Sequence, residues 1–524
     1  MKTGSKNPTK ELYQKLRLLS WSQLWDEEVA RFDQQAPGER LANVALIRAV
    51  GVVFSEFGDM AQKPDVARWL RALLGDPEEK IRRYAMAALP KIGAGEVEEE
   101  GLIALLKNTT NEREKKFLGK SLNKIGGAAT LDALGQSDVL TPRTELKVRA
   151  RVARQAAPST VRMDAPLSAF SGLRIHLRGR RGLEQIVRSE VDDSPRASRL
   201  FRVHDIGPGF VSLAAIAPFS LADLYSLRCF GTLAFVLGQA GSPEEIAEVI
   251  VSPLSQKLFR LWTQGPLRYR LEFVDKGHQR GAVHQVAEAA FARCPHILND
   301  ASEAPWSVDI RPQRDGDLIE LRPRLTPDPR FHYRRQDVPA ASHPPMAACM
   351  ARLAGPMNDE IVWDPFCGSG LELIERGFLG GVRRVLGSDR SAEAVAIAAD
   401  NFAAAGLHVA SEFHCCDFRD FAKTANLAPG SISLIITNPP LGKRVPIPNL
   451  SGLIRDLLAV AEKMLRPGGR LVVANPIPAA SRDTTLALQS SRAVDFGGFD
   501  CRLEHYVKSA RPRVFPQKSA APRA

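Results

Sequence analysis

The stretch Ile361-Val-Trp-Asp364-Pro-Phe-Cys-Gly-Ser-Gly370 constrains the fold of this chain more than any other. Three apolar residues, Ile361 to Trp363, predict a short buried strand, which an acid and a proline close. A turn of small residues then leads into the helical pattern Leu371-Glu-Leu-Ile374-Glu-Arg. Glycines let a backbone approach a ligand without Cβ clashes, and a helix start offers unpaired N–H groups, so strand, turn and helix make a ligand cradle. The spacing is not G-x-G-x-x-G and lacks Gly-Lys-Ser/Thr, which argues against dinucleotide and P-loop readings. Three further apolar runs end in an acid or amide: Arg384-Val-Leu-Gly-Ser-Asp389, Phe413-His-Cys-Cys-Asp417 and Ser433-Leu-Ile-Ile-Thr-Asn438. Ligands of an open parallel sheet bind beyond the carboxyl ends of its strands, so these four endings are expected to converge on one crevice.

With Asp364-Pro-Phe-Cys-Gly-Ser-Gly370 and Asn438-Pro-Pro-Leu441 in order, the segment from about 340 to 515 resembles the class I S-adenosylmethionine (SAM) methyltransferases that methylate amines. That group is marked by D-P-F-x-G-x-G and N-P-P-aromatic. The resemblance implies an α/β Rossmann-like domain with SAM as cofactor. Asp364 and the backbone through Phe366, Cys367, Gly368 and Gly370 would hold its aminocarboxyl arm, Asp389 its ribose and Asp417 its adenine amine. An ionised carboxylate can accept from both ribose hydroxyls, which suits Asp389. An exocyclic amine is a poor nucleophile because its lone pair is delocalised into the ring. The Asn438 amide oxygen and the Pro439 carbonyl would hold its hydrogens and aim that lone pair, while Pro439 and Pro440 stiffen the loop. Relatives acting on RNA guanine often show N-P-P-aromatic-G-x-R, and Gly442, Lys443 and Arg444 continue that pattern toward the substrate. Leu441 departs from it: leucine offers apolar contact but no ring face for a base, and stacking on a base is worth roughly 1–3 kcal/mol. Cys367 sits in the cofactor loop, not beside the acceptor, which disfavours a cytosine-C5 reading.

At 524 residues the chain exceeds one hydrophobic core and is expected to form several domains. Residues 1–140 carry helical periodicity with an internal repeat: Leu70-Arg-Ala-Leu-Leu74 recurs as Leu102-Ile-Ala-Leu-Leu106, and Leu89-Pro-Lys-Ile-Gly93 as Leu122-Asn-Lys-Ile-Gly126. Each copy reads as two helices, the second capped by glycine, and the pair resembles HEAT-type repeats. Such arrays serve as docking faces, here for a possible protein partner. Residues 141–167 read as a linker with one helix. From 168 to 326 the pattern turns α+β, and Gly182-Leu-Glu, the Leu-Arg at 227–228 and the Arg268–Val274 strand resemble a THUMP module. That resemblance implies RNA binding, with Arg174, Arg178, Arg180, Arg181, Lys276 and Arg280 available for phosphates. The methyltransferase domain is expected over 336–515, ending in a hairpin of Cys501–Val507 with Arg513–Phe515, and residues 516–524 are expected to be disordered.

The fold class is therefore expected to be multidomain: helical repeats, an α+β middle domain and a C-terminal α/β methyltransferase. The net charge of +12 favours a polyanion partner. Seven scattered cysteines without C-x-x-C argue against a disulfide framework or a zinc site, and no metal is expected. No long apolar run offers a membrane span, so a cytoplasmic location is expected. The leading expectation is methylation of an exocyclic amine, guanine N2, in tRNA or rRNA. An RNA-binding assembly factor with a weakened methyltransferase domain, and a protein-glutamine N5 methyltransferase, stand as alternatives.

Overall fold

A computed structural model describes residues 8–93, 95–277, 279–339, 341–442, 447–477, 484–497 and 500–509. The chain forms two compact units, one comprising the residues up to Val161 with Gly238–Ile319, the other Arg162–Leu237 with the residues from Glu320 onward.

In the first unit the helices follow the repeat. Lys63–Ala72 pairs with Glu79–Ala88, and Glu96–Asn108 with Glu112–Ile125. The second helices stack in succession, Ala45–Phe57 on Glu79–Ala88, on Glu112–Ile125, on Pro142–Ala156. Their apolar faces make the core: Ile47, Val50, Leu70, Ile81, Leu89, Leu102, Leu118 and Leu122 are all fully buried. Gly51 permits the first of these contacts, since a Cβ there would lie 3.0 Å from that of Ala88. Asn111 starts Glu112–Ile125 by accepting from the N–H of Arg113 at 2.9 Å. The stretch read as a linker contains the 15-residue helix Pro142–Ala156, which is tied down: Arg154 grips Asp300 at 2.9 Å, and buried Arg268 meets the same carboxylate at 3.0 Å. The strand Leu267–Phe273 carries Arg268 and runs parallel to Ile297–Asn299 and Trp306–Arg311.

The second unit begins with the strand Arg174–Arg178, paired antiparallel with Phe210–Ala215 on one side and with Thr232–Ala240 on the other. The methyltransferase-like part follows. Its elements are α1 (Pro344–Ala354), β1 (Glu360–Asp364), α2 (Leu371–Phe378), β2 (Val382–Asp389), α3 (Ala392–Ala404), β3 (Ala410–Cys415), β4 (Ile432–Thr437), α4 (Leu450–Met464), β5 (Leu465–Asn475), β6 (Leu486–Asp495) and β7 (Asp500–Lys508). They build a seven-stranded sheet in the order β3-β2-β1-β4-β5-β7-β6, parallel from β1 to β5, with β7 antiparallel to β5. Strand order reverses outward from β1, which places the switch point of the sheet between β1 and β4. Strands buried on both faces read as largely apolar runs, and in Ile432–Thr437, where Ser433 and Thr437 are the polar members, every residue is buried. Trp363 stacks on Phe421 at 4.4 Å and donates its indole N–H to Ser388 Oγ at 3.1 Å.

The terminal hairpin differs from expectation. Cys501–Val507 lies in β7, whose hairpin partner is β6, upstream of it, over 486–495; Arg513–Phe515 falls outside the described residues, as does the tail 516–524. The β6 sequence Leu-Ala-Leu-Gln-Ser-Ser-Arg is half polar, as suits a sheet edge, and gives only a weak strand pattern.

Candidate cofactor and acceptor crevice

Above the carboxyl ends of β1, β2 and β4 lies a cavity of about 720 Å³ lined by Phe366, Cys367, Gly368, Asp389, Asp417, Asn438, Pro439, Pro440 and Leu441. These are nine of the residues singled out from sequence. Asp364 and Gly370 are not among its lining. Asp364 is fully buried beneath it, and Gly370 opens α2 in the left-handed region (φ 82°), where a Cβ would lie 3.2 Å from that of Ala398. Lys443 and Arg444 lie outside the described residues.

The turn after β1 is built by its acids. Asp364 Oδ1 accepts from the Phe366 N–H at 3.0 Å and from Thr437 Oγ1 at 2.6 Å, which joins the ends of β1 and β4. Asp389 Oδ2 accepts from the Gly368 N–H at 3.1 Å, and its Oδ1 from the Ser391 N–H at 3.0 Å, so it holds the glycine turn and the start of α3 together. Asp417 is engaged by Arg419 at 3.0 Å, a cation that lines the same cavity and reaches on to Asp456 at 2.8 Å. The lead-in segment is fixed by buried Asn401, whose Oδ1 accepts from the Arg335 N–H at 3.0 Å while its Nδ2 donates to the Ser369 carbonyl at 3.0 Å. Arg228, in the middle segment, grips Glu375 of α2 at 2.7 Å, and the Tyr333 hydroxyl donates to the same carboxylate at 2.5 Å.

Two buried oxygens at this crevice lack partners among the described residues: Asp364 Oδ2 and Asn438 Oδ1. An unpaired buried polar atom costs about 1–3 kcal/mol, which a ligand or ordered water in the crevice would relieve. Burial raises the Asp364 carboxyl well above the usual range, and the charges of Glu372 and Asp389 push it further. Burial likewise raises Glu372. An acid-rich floor of this kind is stabilised by a cationic group, and SAM carries two, an ammonium and a sulfonium. Burial also lifts the Cys367 thiol well above its ordinary value, helped by Asp364 and Asp389, so no thiolate nucleophile is on offer.

Asn438 is oriented by a relay absent from any local motif. Glu372 accepts from Ser342 Oγ, and Ser342 Oγ in turn accepts from Asn438 Nδ2 at 2.9 Å. The Asn438 Nδ2 can only donate, so Ser342 Oγ accepts from it and turns its own proton to Glu372, which leaves the Asn438 oxygen free as an acceptor. Phe496 and Arg180 also line the cavity, with the guanidinium 5.8 Å from the ring centre. Ser342, Glu372, Asn401, Arg419 and Phe496 carry no sequence signal of their own, because each acts across the fold. Of the basic residues assigned to phosphates, Arg178 is committed to buried Glu320 at 2.6 Å and Lys276 to Asp317 at 3.2 Å. Glu320, despite its burial, is held down to about 2 by His176 and Arg178.

Sheet order, glycine cradle and the amide at the end of β4 define a class I methyltransferase domain, for which SAM is the cofactor, and the crevice residues fit it. Residues 331–497 match the family described as "RMKL-like, methyltransferase domain". The tRNA (guanine(10)-N2)-dimethyltransferase of Methanothermobacter thermautotrophicus is 30% identical over 183 residues, 33% of this chain and 52% of that protein. The probable tRNA (guanine(10)-N2)-dimethyltransferase of Methanothermococcus thermolithotrophicus is 29% identical over 134 residues, 25% of this chain and 78% of its own length. The chain thus spans about half the length of the first of these relatives. Among solved structures, TrmN from Thermus thermophilus is 21% identical with a TM-score of 0.49, covering 64% of this chain and 99% of that one. The chain carries a C-terminal class I methyltransferase domain related to the tRNA guanine-N2 dimethyltransferases. Among the described residues, no helix is long and apolar enough to cross a membrane.

Proposed function

We propose that this protein is a SAM-dependent RNA methyltransferase acting on an exocyclic amine, guanine N2, in tRNA or rRNA within the cytoplasm. The observation that carries the reading is Asn438, whose amide is turned by Ser342 so that its oxygen is left without a partner among the described residues. When bound, SAM supplies an electrophilic methyl group. The chain's own residues then have to hold an amine: Asn438 Oδ1 and the Pro439 carbonyl accept its two hydrogens, which turns the nitrogen lone pair out of conjugation with the ring. Pro439 and Pro440 fix the loop beforehand, so little ordering cost remains on binding. Asp389 accepts from the ribose hydroxyls and Asp364 meets the ammonium. Leu441 gives the base no ring face, and Phe496, lining the same cavity, is the aromatic surface that takes its place. The segment 168–326 and the basic balance of the chain supply RNA affinity, chiefly to phosphates.

RNA from cells lacking the protein, incubated with the full chain and methyl-labelled SAM and digested to nucleosides, should yield labelled N2-methylguanosine. Label on protein glutamine, or no label in either fraction, would overturn the reading.

A further inference from the structure

The internal repeat of the helical array does more than place its leucines. Lys91 and Lys124 occupy the same position of the two copies, Leu89-Pro-Lys91-Ile-Gly93 and Leu122-Asn-Lys124-Ile-Gly126. The helices that carry or precede them stack directly, and the row continues on both sides. Arg48 lies on Ala45–Phe57, the stacking helix before, and Lys147 on Pro142–Ala156, the one after. Four consecutive stacked layers thus each contribute a cation to the row, with Arg17, Arg143 and Arg151 acting on it as well. Arg48, Lys124 and Lys147 are exposed and Lys91 is half-buried.

These cations are close enough to repel. After burial, the charges of Arg48, Lys124 and Arg17 hold the Lys91 ammonium below its ordinary value. Burial and then Arg143 do the same to Lys147, with Lys124 and Arg151 adding to it. The acids nearby offset this only in part: Glu56 acts on Lys91 but is paired with Arg17 at 3.1 Å, and Glu288 acts on Lys147 but lies 3.7 Å from Arg143. Among the described residues, Lys91, Lys124 and Lys147 make no ion pair or hydrogen bond through their side chains, and Arg48 rests over the Tyr13 ring at 4.3 Å. Stacked helices lie about 8–10 Å apart. Cations on successive stacked helices repel one another, and a regularly charged polyanion lying along them relieves that repulsion.

We propose that Arg48, Lys91, Lys124 and Lys147 form a phosphate-tracking row on which the helical array binds the sugar–phosphate backbone of RNA. The array then contributes affinity and register without reading sequence, because phosphate contacts position while base contacts specify. An acidic protein is the competing occupant, and a run of cations continued along four stacked helices favours the phosphodiester chain. The proposal rests on the RNA reading above only for the kind of nucleic acid.

The test compares the full-length wild type with the triple variant Lys91→Gln, Lys124→Gln, Lys147→Gln, and with a control triple, Lys10→Gln, Lys80→Gln, Lys107→Gln, of equal charge loss outside the row. Binding of a labelled stem-loop RNA and of polyglutamate is followed across salt, with SAM affinity as the check on folding. The row variant should bind RNA on the order of 10-fold more weakly at low salt, with the slope of log K against log salt reduced by about 2–3. The control triple should fall clearly short of both changes. If wild type and both variants bind RNA with the same affinity and slope, the row is overturned while the methyltransferase reading stands. If the row variant loses only polyglutamate binding, the surface belongs to an acidic protein and the proposal falls. Failure of the methyltransferase reading has a separate signature, absence of methylated nucleoside from the wild type.

Discussion

The crevice above the sheet and the row along the helical array use charge in opposite ways. In the crevice, Asp364 and Glu372 are fully or nearly fully buried, and each accepts from a hydroxyl brought by a distant segment, Thr437 and Ser342. Along the array, Lys124 and Lys147 are exposed and Lys91 is half-buried, and none of the three has an ion-pair partner among the described residues. Burial makes a charge expensive, directional and able to set the pKa and orientation of its neighbours. Exposure makes it cheap, screened by salt and effective only in numbers. One arrangement positions a reacting group; the other gathers a long ligand. Substitutions should therefore act through fold and chemistry in the first region, and through salt-dependent affinity in the second.

The largest contrast is in stability. Glu360, at the start of β1, is fully buried between Arg376 and Arg470. Glu360→Ala leaves both cations without it, and removing one partner of a buried pair costs roughly 3–5 kcal/mol. Amide exchange in β1 and β5 should accelerate accordingly. Lys91→Ala in the array should stay within about 0.5 kcal/mol of wild type by the same measurement. Similar losses at both positions would erase the distinction between the regions.

Next in size is Asp364. Its carboxyl is raised in the folded, cofactor-free state by burial and by Glu372. A raised value means that its contribution to stability is present at acid pH and is lost as pH rises through the folded value. Asp364→Asn should therefore flatten that fall in thermal melts of cofactor-free protein, yet weaken SAM binding by about 10- to 100-fold, because a charged hydrogen bond worth roughly 1.5–3 kcal/mol is lost. A melt with the same pH dependence as wild type would contradict the assignment.

How far these features were legible depended on their range. The cradle from Asp364 to Gly370 and the acid endings of the strands sit within a few residues of their own elements, and the parallel order of β1 to β5 follows from them. The helix pairs were legible because the repeat is written twice. Ser342 and Glu372 were not, since their role depends on Asn438 arriving from another strand. Thr232–Ala240 was missed because Leu-Ala-Phe-Val-Leu is an unbroken apolar run with no alternation, which a buried helix shares. The hairpin was misplaced because β6 sits at a sheet edge, where polar residues break the strand pattern.

A smaller effect is expected at the base surface. Phe496→Ala should raise the KM for RNA by about 5- to 100-fold, the range set by roughly 1–3 kcal/mol of stacking, and Phe496→Trp should retain most of the affinity. Leu441→Tyr should then add little, because a ring already lines the cavity. A large gain from Leu441→Tyr with no loss from Phe496→Ala would transfer the stacking role to position 441.

The central claim is that Asn438 holds an amine for methyl transfer, and the single-turnover rate of Asn438→Ala with saturating SAM and RNA tests it most directly. The rate should fall by about 100-fold, as for removal of one fixed hydrogen-bonding group at a reacting centre, while the Kd values for SAM and RNA stay near those of wild type. Ser342→Ala should fall less, by about 10-fold, since Asn438 keeps its oxygen but loses its orientation. A wild-type rate from Asn438→Ala, with labelled N2-methylguanosine still produced, would contradict the account.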